Sequence, residues 1–134
     1  QLIRLSGWHP PEFAPNDPTL EWQWTQKVAT LSLRNPKRDV TFYLEYDARN
    51  DLLGGVPQQV GVFCGDARLA SFAADARSPT LERIPVTAAQ LGGAEMVELR
   101  IELDRTFVPA KLPNVGNDPR ELGIRVFHAH VEPR

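Results

Sequence analysis

The chain has 134 residues, 42% of them hydrophobic and 24% charged, so it can bury a core without metal ions or disulfides. Its formal net charge of -2 gives no general attraction to nucleic acids or anionic membranes, and we expect no nucleic-acid partner. The single cysteine, Cys64, excludes an intrachain disulfide and a zinc site built from several thiolates.

Short apolar runs with an alternation of two residues follow one another along the chain. In residues 40–46 and 96–103, apolar side chains alternate with polar ones, which is typical of a sheet with one buried and one solvated face. Turn residues such as Asn35-Pro36, Gly65-Asp66 and Ser78-Pro79 separate the runs. We predict strands at residues 2–5, 27–33, 40–46, 59–64, 69–73, 80–86, 96–103 and 121–131.

About eight short strands with this spacing predict an all-β fold, a two-sheet antiparallel β-sandwich of the jelly-roll kind. Residues 87–91 are predicted to form a helical turn capped by Thr87. Two long connections, residues 7–25 and 104–120, are expected to be functional loops or covers over the open sheet ends. Cys64 ends an apolar run and is expected to behave as a small buried hydrophobe.

We expect one domain over residues 1–134, excised from or appended to a larger protein, because the chain begins with Gln1. Its longest apolar runs span only a few residues, so we expect no direct insertion into a membrane and see no signal peptide.

Two segments carry a resemblance to a known family. Residues 7–12 read Gly-Trp-His-Pro-Pro-Glu and precede Trp22-Gln23-Trp24-Thr25; later come Phe107-Val108-Pro109 and residues 117–124, Asn-Asp-Pro-Arg-Glu-Leu-Gly-Ile. This order resembles the β-sandwich accessory domains of bacterial glycosyltransferases and polysaccharide-assembly proteins. The resemblance implies a fold like that of galactose-binding-like carbohydrate-binding modules and a role in glycan handling. It implies no catalytic residues, and it favours an extracytoplasmic or membrane-associated parent protein.

The three tryptophans are the first candidates for ligand binding, because flat indoles stack on the apolar faces of sugar rings. The alternative is that they plug the ends of the sandwich, which we favour for Trp8 and Trp24. We expect Trp22 and Trp24 to point to opposite sides of their segment and Trp22 to be the exposed one.

The polar sides of two predicted strands are the second candidate. Tyr43 and Glu45, together with Arg100, are expected to form a shallow glycan platform with Thr41, Glu98 and Glu102. The alternative, which we favour for this face, is a solvated sheet face with weak cross-strand ion pairs.

A structural clamp is expected near the last strand. The planar fork of Arg120 can bind a carboxylate, and Glu12 is the preferred partner. Asp118 opens the turn before Arg120. Such a clamp would tie the N-terminal loop to the C-terminal strand, although Asp118 and Arg120 facing a sugar is the functional alternative.

Metal sites are weakly indicated, and we predict no metal and no cofactor. His128 and His130 would point to one face, shared with Ile124 and Val126, but no third ligand is evident. The loop oxygens of Asp47, Asn50 and Asp51, and those of Asn117 and Asp118, leave a structural calcium open.

Catalytic motifs such as G-x-S-x-G, the P-loop and H-E-x-x-H are absent from the sequence. We therefore expect a non-catalytic carbohydrate-binding-module-like accessory domain, in which Trp8, Trp22 and Tyr43 stack on a glycan while Glu45 and Arg100 hydrogen-bond to it. The alternative is a structural or docking module whose partner is a neighbouring domain of the same protein. A glycoside hydrolase or lyase would need two carboxylates facing one cleft.

Overall fold

The computed structural model describes residues 2–134 and contains two antiparallel sheets of five strands each. Sheet one has the strand order β1-β4-β9-β6-β7, and sheet two has the order β2-β3-β10-β5-β8. The strands are β1 (Leu2–Arg4), β2 (Glu12–Ala14), β3 (Asp17–Trp24), β4 (Val28–Arg34), β5 (Val40–Asp47), β6 (Gln58–Cys64), β7 (Ala67–Ala74), β8 (Thr80–Val86), β9 (Met96–Leu103) and β10 (Arg125–Pro133). A short helix, α1 (Ala88–Leu91), and two 3-10 turns, Asn50–Leu52 and Pro109–Lys111, lie in the connections.

The two sheets pack as a jelly roll, which confirms the predicted fold class. Strands β3 to β10 form its eight-stranded body, in which most connections cross from one sheet to the other and β6–β7 is a hairpin within sheet one. The short strands β1 and β2 each extend one edge, so the sandwich has ten strands rather than about eight.

The prediction of a long loop at residues 7–25 is wrong, because this segment contains the hairpin β2–β3. Alternation from Leu20 to Trp24 is the strand signal, but the turn formers Pro15, Asn16 and Pro18 mask it. The last strand also begins at Arg125 rather than at residue 121.

The core lies between the sheets and is formed by the apolar positions of the alternating strands. In β5, Val40, Phe42, Leu44 and Tyr46 point inward and are buried. The facing strand β9 contributes four further aliphatic side chains at alternate positions, Val97, Leu99, Ile101 and Leu103. Burying an aliphatic or phenyl side chain of this kind contributes about 1.5–3 kcal/mol, so these two strands anchor the two sheets to each other.

The predicted cap of the helical turn is confirmed. The hydroxyl oxygen of Thr87 accepts a hydrogen bond from the backbone N–H of Gln90, and the Gln90 side chain accepts one from the Thr87 backbone N–H. This reciprocal capping box stabilises a turn too short to persist alone.

Candidate functional site

Trp22 and Trp24 lie on the outer face of sheet two. Trp24 is buried and Trp22 is half-buried. The prediction that they point to opposite sides is wrong, because residues two apart in a strand share a face. The prediction that Trp22 is the exposed one is also wrong, since its indole N–H is buried.

The half-buried cation of Arg125 contacts these two tryptophans. The Arg125 guanidinium carbon lies 4.7 Å from the centre of the Trp22 ring, 5.9 Å from that of Trp24 and 5.3 Å from that of Phe127. The same guanidinium binds both carboxylate oxygens of Asp47, at 2.9 and 2.6 Å. Because the Asp47 side chain is only 3% exposed, this ion pair is largely removed from water.

The connection between β9 and β10 covers the tryptophans. Phe107 packs edge-on against Trp24, with ring centres 5.7 Å apart, and Leu122 completes a second small core. Paired backbone hydrogen bonds between Phe107 and Leu122 fix this cover. Trp24 therefore packs inside the protein, and the half-buried Trp22 packs against the same small core, so the two indoles do not form an open sugar platform.

Trp8 lies on the other side of the β3 segment, at the edge where the two sheets meet. It is half-buried, and its indole N–H donates to the Thr30 carbonyl at 2.8 Å. The Arg4 guanidinium carbon lies 4.9 Å from the centre of the Trp8 ring. Both contacts give Trp8 a packing role against the core.

The expected clamp residues come together. The Arg120 guanidinium donates to Glu12 at 3.2 Å and to Asp118 at 2.7 Å. Hydrogen bonds from Arg120 lower the pKa of Asp118, and the Asp118 carboxylate in turn raises the pKa of Arg120. This network ties β2 to the segment before β10, so its geometry suits a structural role.

The expected platform of Tyr43, Glu45 and Arg100 does not exist as one surface. Tyr43 and Glu45 lie on β5 in sheet two, whereas Arg100 lies on β9 in sheet one. In both strands, buried apolar residues alternate with polar residues, and the polar side chains lie on the outer face of the strand's own sheet. Arg100, like Glu98 and Glu102, therefore faces away from Tyr43 on the opposite side of the sandwich.

A groove of about 490 Å³ crosses the outer face of sheet two. It forms because β3 pairs with β10 only through Arg125 and Val126 and then separates from it. Leu20 and Glu21 of β3 line one wall, and the residues on the other side are Glu45, Phe127, His128 and His130.

His130 lines this groove, and Tyr43 packs against it. The rings of Tyr43 and His130 stack with centres 4.7 Å apart and an angle of 10° between their planes. Beside them, the His128 Nε2 atom lies 3.6 Å from the Glu45 carboxylate. Both histidine side chains are more than half exposed, so the groove presents flat rings and polar groups to solvent.

The histidines reach this face through a β-bulge. The register between β10 and β5 shifts between Val126 and His128. Ile124 and Val126 are buried, while His128 and His130 point outward. The expectation that all four share a face is therefore wrong, because the extra residue at Phe127 reverses the alternation.

Possible metal ligands are already paired or too few. Within residues 2–134, no group of three or more His, Cys, Asp or Glu side chains is placed to hold a metal ion. In the loops considered for calcium, Asp47 binds Arg125, Asp51 binds Arg49 and Asp118 binds Arg120.

No protein-family model matches the chain, and the search of curated proteins also finds no match. Among residues 2–134, no helix has the length and apolar character needed to cross a membrane.

Proposed function

We propose that the chain is a non-catalytic glycan-binding domain, similar to a carbohydrate-binding module, that binds saccharide in the groove of sheet two. The single observation that carries the proposal is the stacked pair Tyr43–His130 beside a solvated groove of about 490 Å³. A concave site with a flat apolar surface and a few convergent polar groups is the usual form of a small-molecule site.

The chemistry of the groove suits a sugar ring. The His130 ring lines the groove, and Tyr43 on β5 stacks against it from the side away from β3, so the face of His130 that is turned from Tyr43 would contact the C–H groups of a sugar. The carboxylate oxygens of Glu45 and Glu21 can accept hydrogen bonds from hydroxyl groups. The binding residues in this proposal are therefore Tyr43 and Glu45 with His128 and His130, and the tryptophans have a supporting role.

The order of motifs that resembles glycosyltransferase accessory domains supports the same function. In a half-open groove, the entropy cost of ordering the ligand offsets most of the free energy gained from the contacts. We therefore expect a single domain to bind a glycan weakly. The parent protein would gain from such a domain by holding a glycan chain near another site.

The test is an NMR titration of the 15N-labelled chain with cellohexaose, xylohexaose and mannohexaose. We expect at least one of them to shift amide signals of β5 and β10 around Tyr43 and His130. Tyr43→Ala should weaken that binding about tenfold, which corresponds to the loss of about 1.4 kcal/mol. Thr41→Ala, on the same strand and face but without a ring against His130, is the matched control. Absence of shifts on this face with all three saccharides would refute the proposal.

A second candidate function is docking on a neighbouring domain, and one observation favours it. Beyond Val126, the edge of β10 that faces β3 has no paired strand in the described chain. The Arg134 N–H bonds to Asp39 on the β5 side, so alternation turns the N–H groups of Ala129 and Val131 to the free edge. A free edge of this kind accepts an added strand.

Docking and sugar binding predict that different substitutions weaken binding. Ala129→Pro removes a donor from the free edge and leaves the pairing with β5 intact. Docking predicts that this variant loses association with the neighbouring domain, measured by calorimetry, while Tyr43→Ala retains it. If Ala129→Pro binds the neighbouring domain as tightly as Tyr43→Ala and the unchanged chain do, docking through this edge is contradicted.

A further inference from the structure

A second hollow lies on the opposite side of the sandwich, in the outer face of sheet one. Its volume is about 250 Å³, and it lies over strands β6, β7 and the end of β9. Its lining includes Gln59, Gly61, Phe63, Arg68, Ser71 and Glu102. None of them takes part in the groove of sheet two.

Gly61 shapes the floor of this hollow. A Cβ atom at this position would lie 2.7 Å from Cε1 of Phe63, so only glycine lets the phenyl ring lie across the strand. Its backbone has no positive φ that would demand glycine. Glycine inside a strand destabilises it by about 0.5–1 kcal/mol and marks a site of close approach. Here the approach is that of the half-exposed Phe63 ring.

Two guanidinium groups flank Phe63. The guanidinium carbons of Arg68 and Arg100 lie 5.3 and 4.8 Å from the ring centre. Arg100 is neutralised by an ion pair with Glu102. Arg68 takes part in no ion pair with any carboxylate of residues 2–134. Asp104, the second carboxylate in the lining, pairs with Arg105 at 3.8 Å. Among the charged residues that line the hollow, Arg68 is therefore the one without an ion-pair partner in residues 2–134, and it lies over the aromatic ring.

We infer that this hollow is a second saccharide site and that it takes a uronic-acid-containing glycan. The apolar face of a uronic acid ring would rest on Phe63, and its carboxylate would pair with the planar fork of Arg68. The side chains of Gln59 and Ser71 offer hydrogen bonds to the hydroxyl groups. The inference stands on the chemistry of sheet one and does not require the groove of sheet two to bind a sugar.

The test uses trigalacturonate and its neutral methyl ester as probes for the 15N-labelled chain. Trigalacturonate should shift the amide signals of Phe63, Arg68 and Ser71, and the methyl ester should bind at least fivefold more weakly. Arg68→Gln keeps the polar stem but removes the charge, and it should weaken trigalacturonate binding at least fivefold. Arg34→Gln, an exposed arginine of the same sheet, is the matched control and should bind as the unchanged chain does.

The outcomes separate this inference from the proposed function. Shifts confined to β5 and β10, or equal binding of trigalacturonate by Arg68→Gln, would overturn the second site and leave the groove proposal standing. Shifts around Phe63 that persist in Tyr43→Ala would support the second site whatever the groove does. If the methyl ester binds as tightly as trigalacturonate, the assignment to uronic acids is refuted.

Discussion

Replacing Asp47 by alanine tests whether the ion pair with Arg125 holds the tryptophan cluster together. The substitution leaves the Arg125 guanidinium among three aromatic rings without a carboxylate partner. Removing one partner of a buried ion pair destabilises a protein by about 3–5 kcal/mol. The Arg125 side chain is 27% exposed, so water and the ring faces offset part of this loss and we expect about 3 kcal/mol.

The assay is urea unfolding followed by circular dichroism, with tryptophan fluorescence as a second probe. In a thermal melt of the same variant, a loss of this size should lower Tm by about 10 °C for a chain of this length. Asp51→Ala breaks the exposed pair with Arg49 and should change stability by less than about 1 kcal/mol. A double-mutant cycle of Asp47→Ala with Arg125→Met isolates the pair itself.

Two results would refute the reasoning. One is a stability change for Asp47→Ala no larger than that for Asp51→Ala. The other is a coupling energy in the cycle below about 0.5 kcal/mol, which would mean that ring packing alone holds Arg125.

Three further predictions concern a glycine, the cysteine and the clamp. Gly7 has φ +82°, and a Cβ atom there would lie 1.8 Å from the Val28 carbonyl oxygen. Gly7→Ala should therefore lower the free energy of unfolding, measured in urea, by more than about 3 kcal/mol. The control is Gly54→Ala, at φ +70° in open space, which should lower it by only about 1 kcal/mol. Burial raises the pKa of the Cys64 thiol, so at pH 8 its alkylation by iodoacetamide should be at least about tenfold slower in the folded chain than in urea; equal rates would contradict its burial. Arg120→Ala should lower Tm by several degrees and leave saccharide shifts in the groove unchanged, because Arg120 joins two segments outside it; loss of those shifts at an unchanged Tm would show a direct role in binding.

The strand pattern could be predicted because alternation is a local property of the chain. The alternation in residues 80–86 and 96–103 predicts strands with the bounds that the structure shows. Alternation also says which side chains point outward, but it does not say to which sheet a strand belongs. For that reason the sequence alone does not separate Tyr43 from Arg100, although the two lie on opposite faces of the sandwich.

The candidate site depends on features that have no local signature. The burial of Trp24 follows from the cover formed by Phe107 and Leu122, which lie far along the chain. The outward turn of His128 follows from a one-residue bulge. The pairing of Asp47 with Arg125 joins residues 78 positions apart, and neither stands out in the sequence. Arg125 and Asp47 can be identified as an ion pair only when the register between β10 and β5 is known.

The position of β10 has a consequence for how the molecule is made. It is the last of the ten described strands, yet it lies in the middle of sheet two between β3 and β5. During synthesis on the ribosome, β3 therefore has no place in the body of its sheet until the C-terminal segment has emerged, and the tryptophan cluster cannot close before then. Folding must await nearly the full length of residues 2–134, which implies slow, late acquisition of structure and a nascent chain with exposed strand edges.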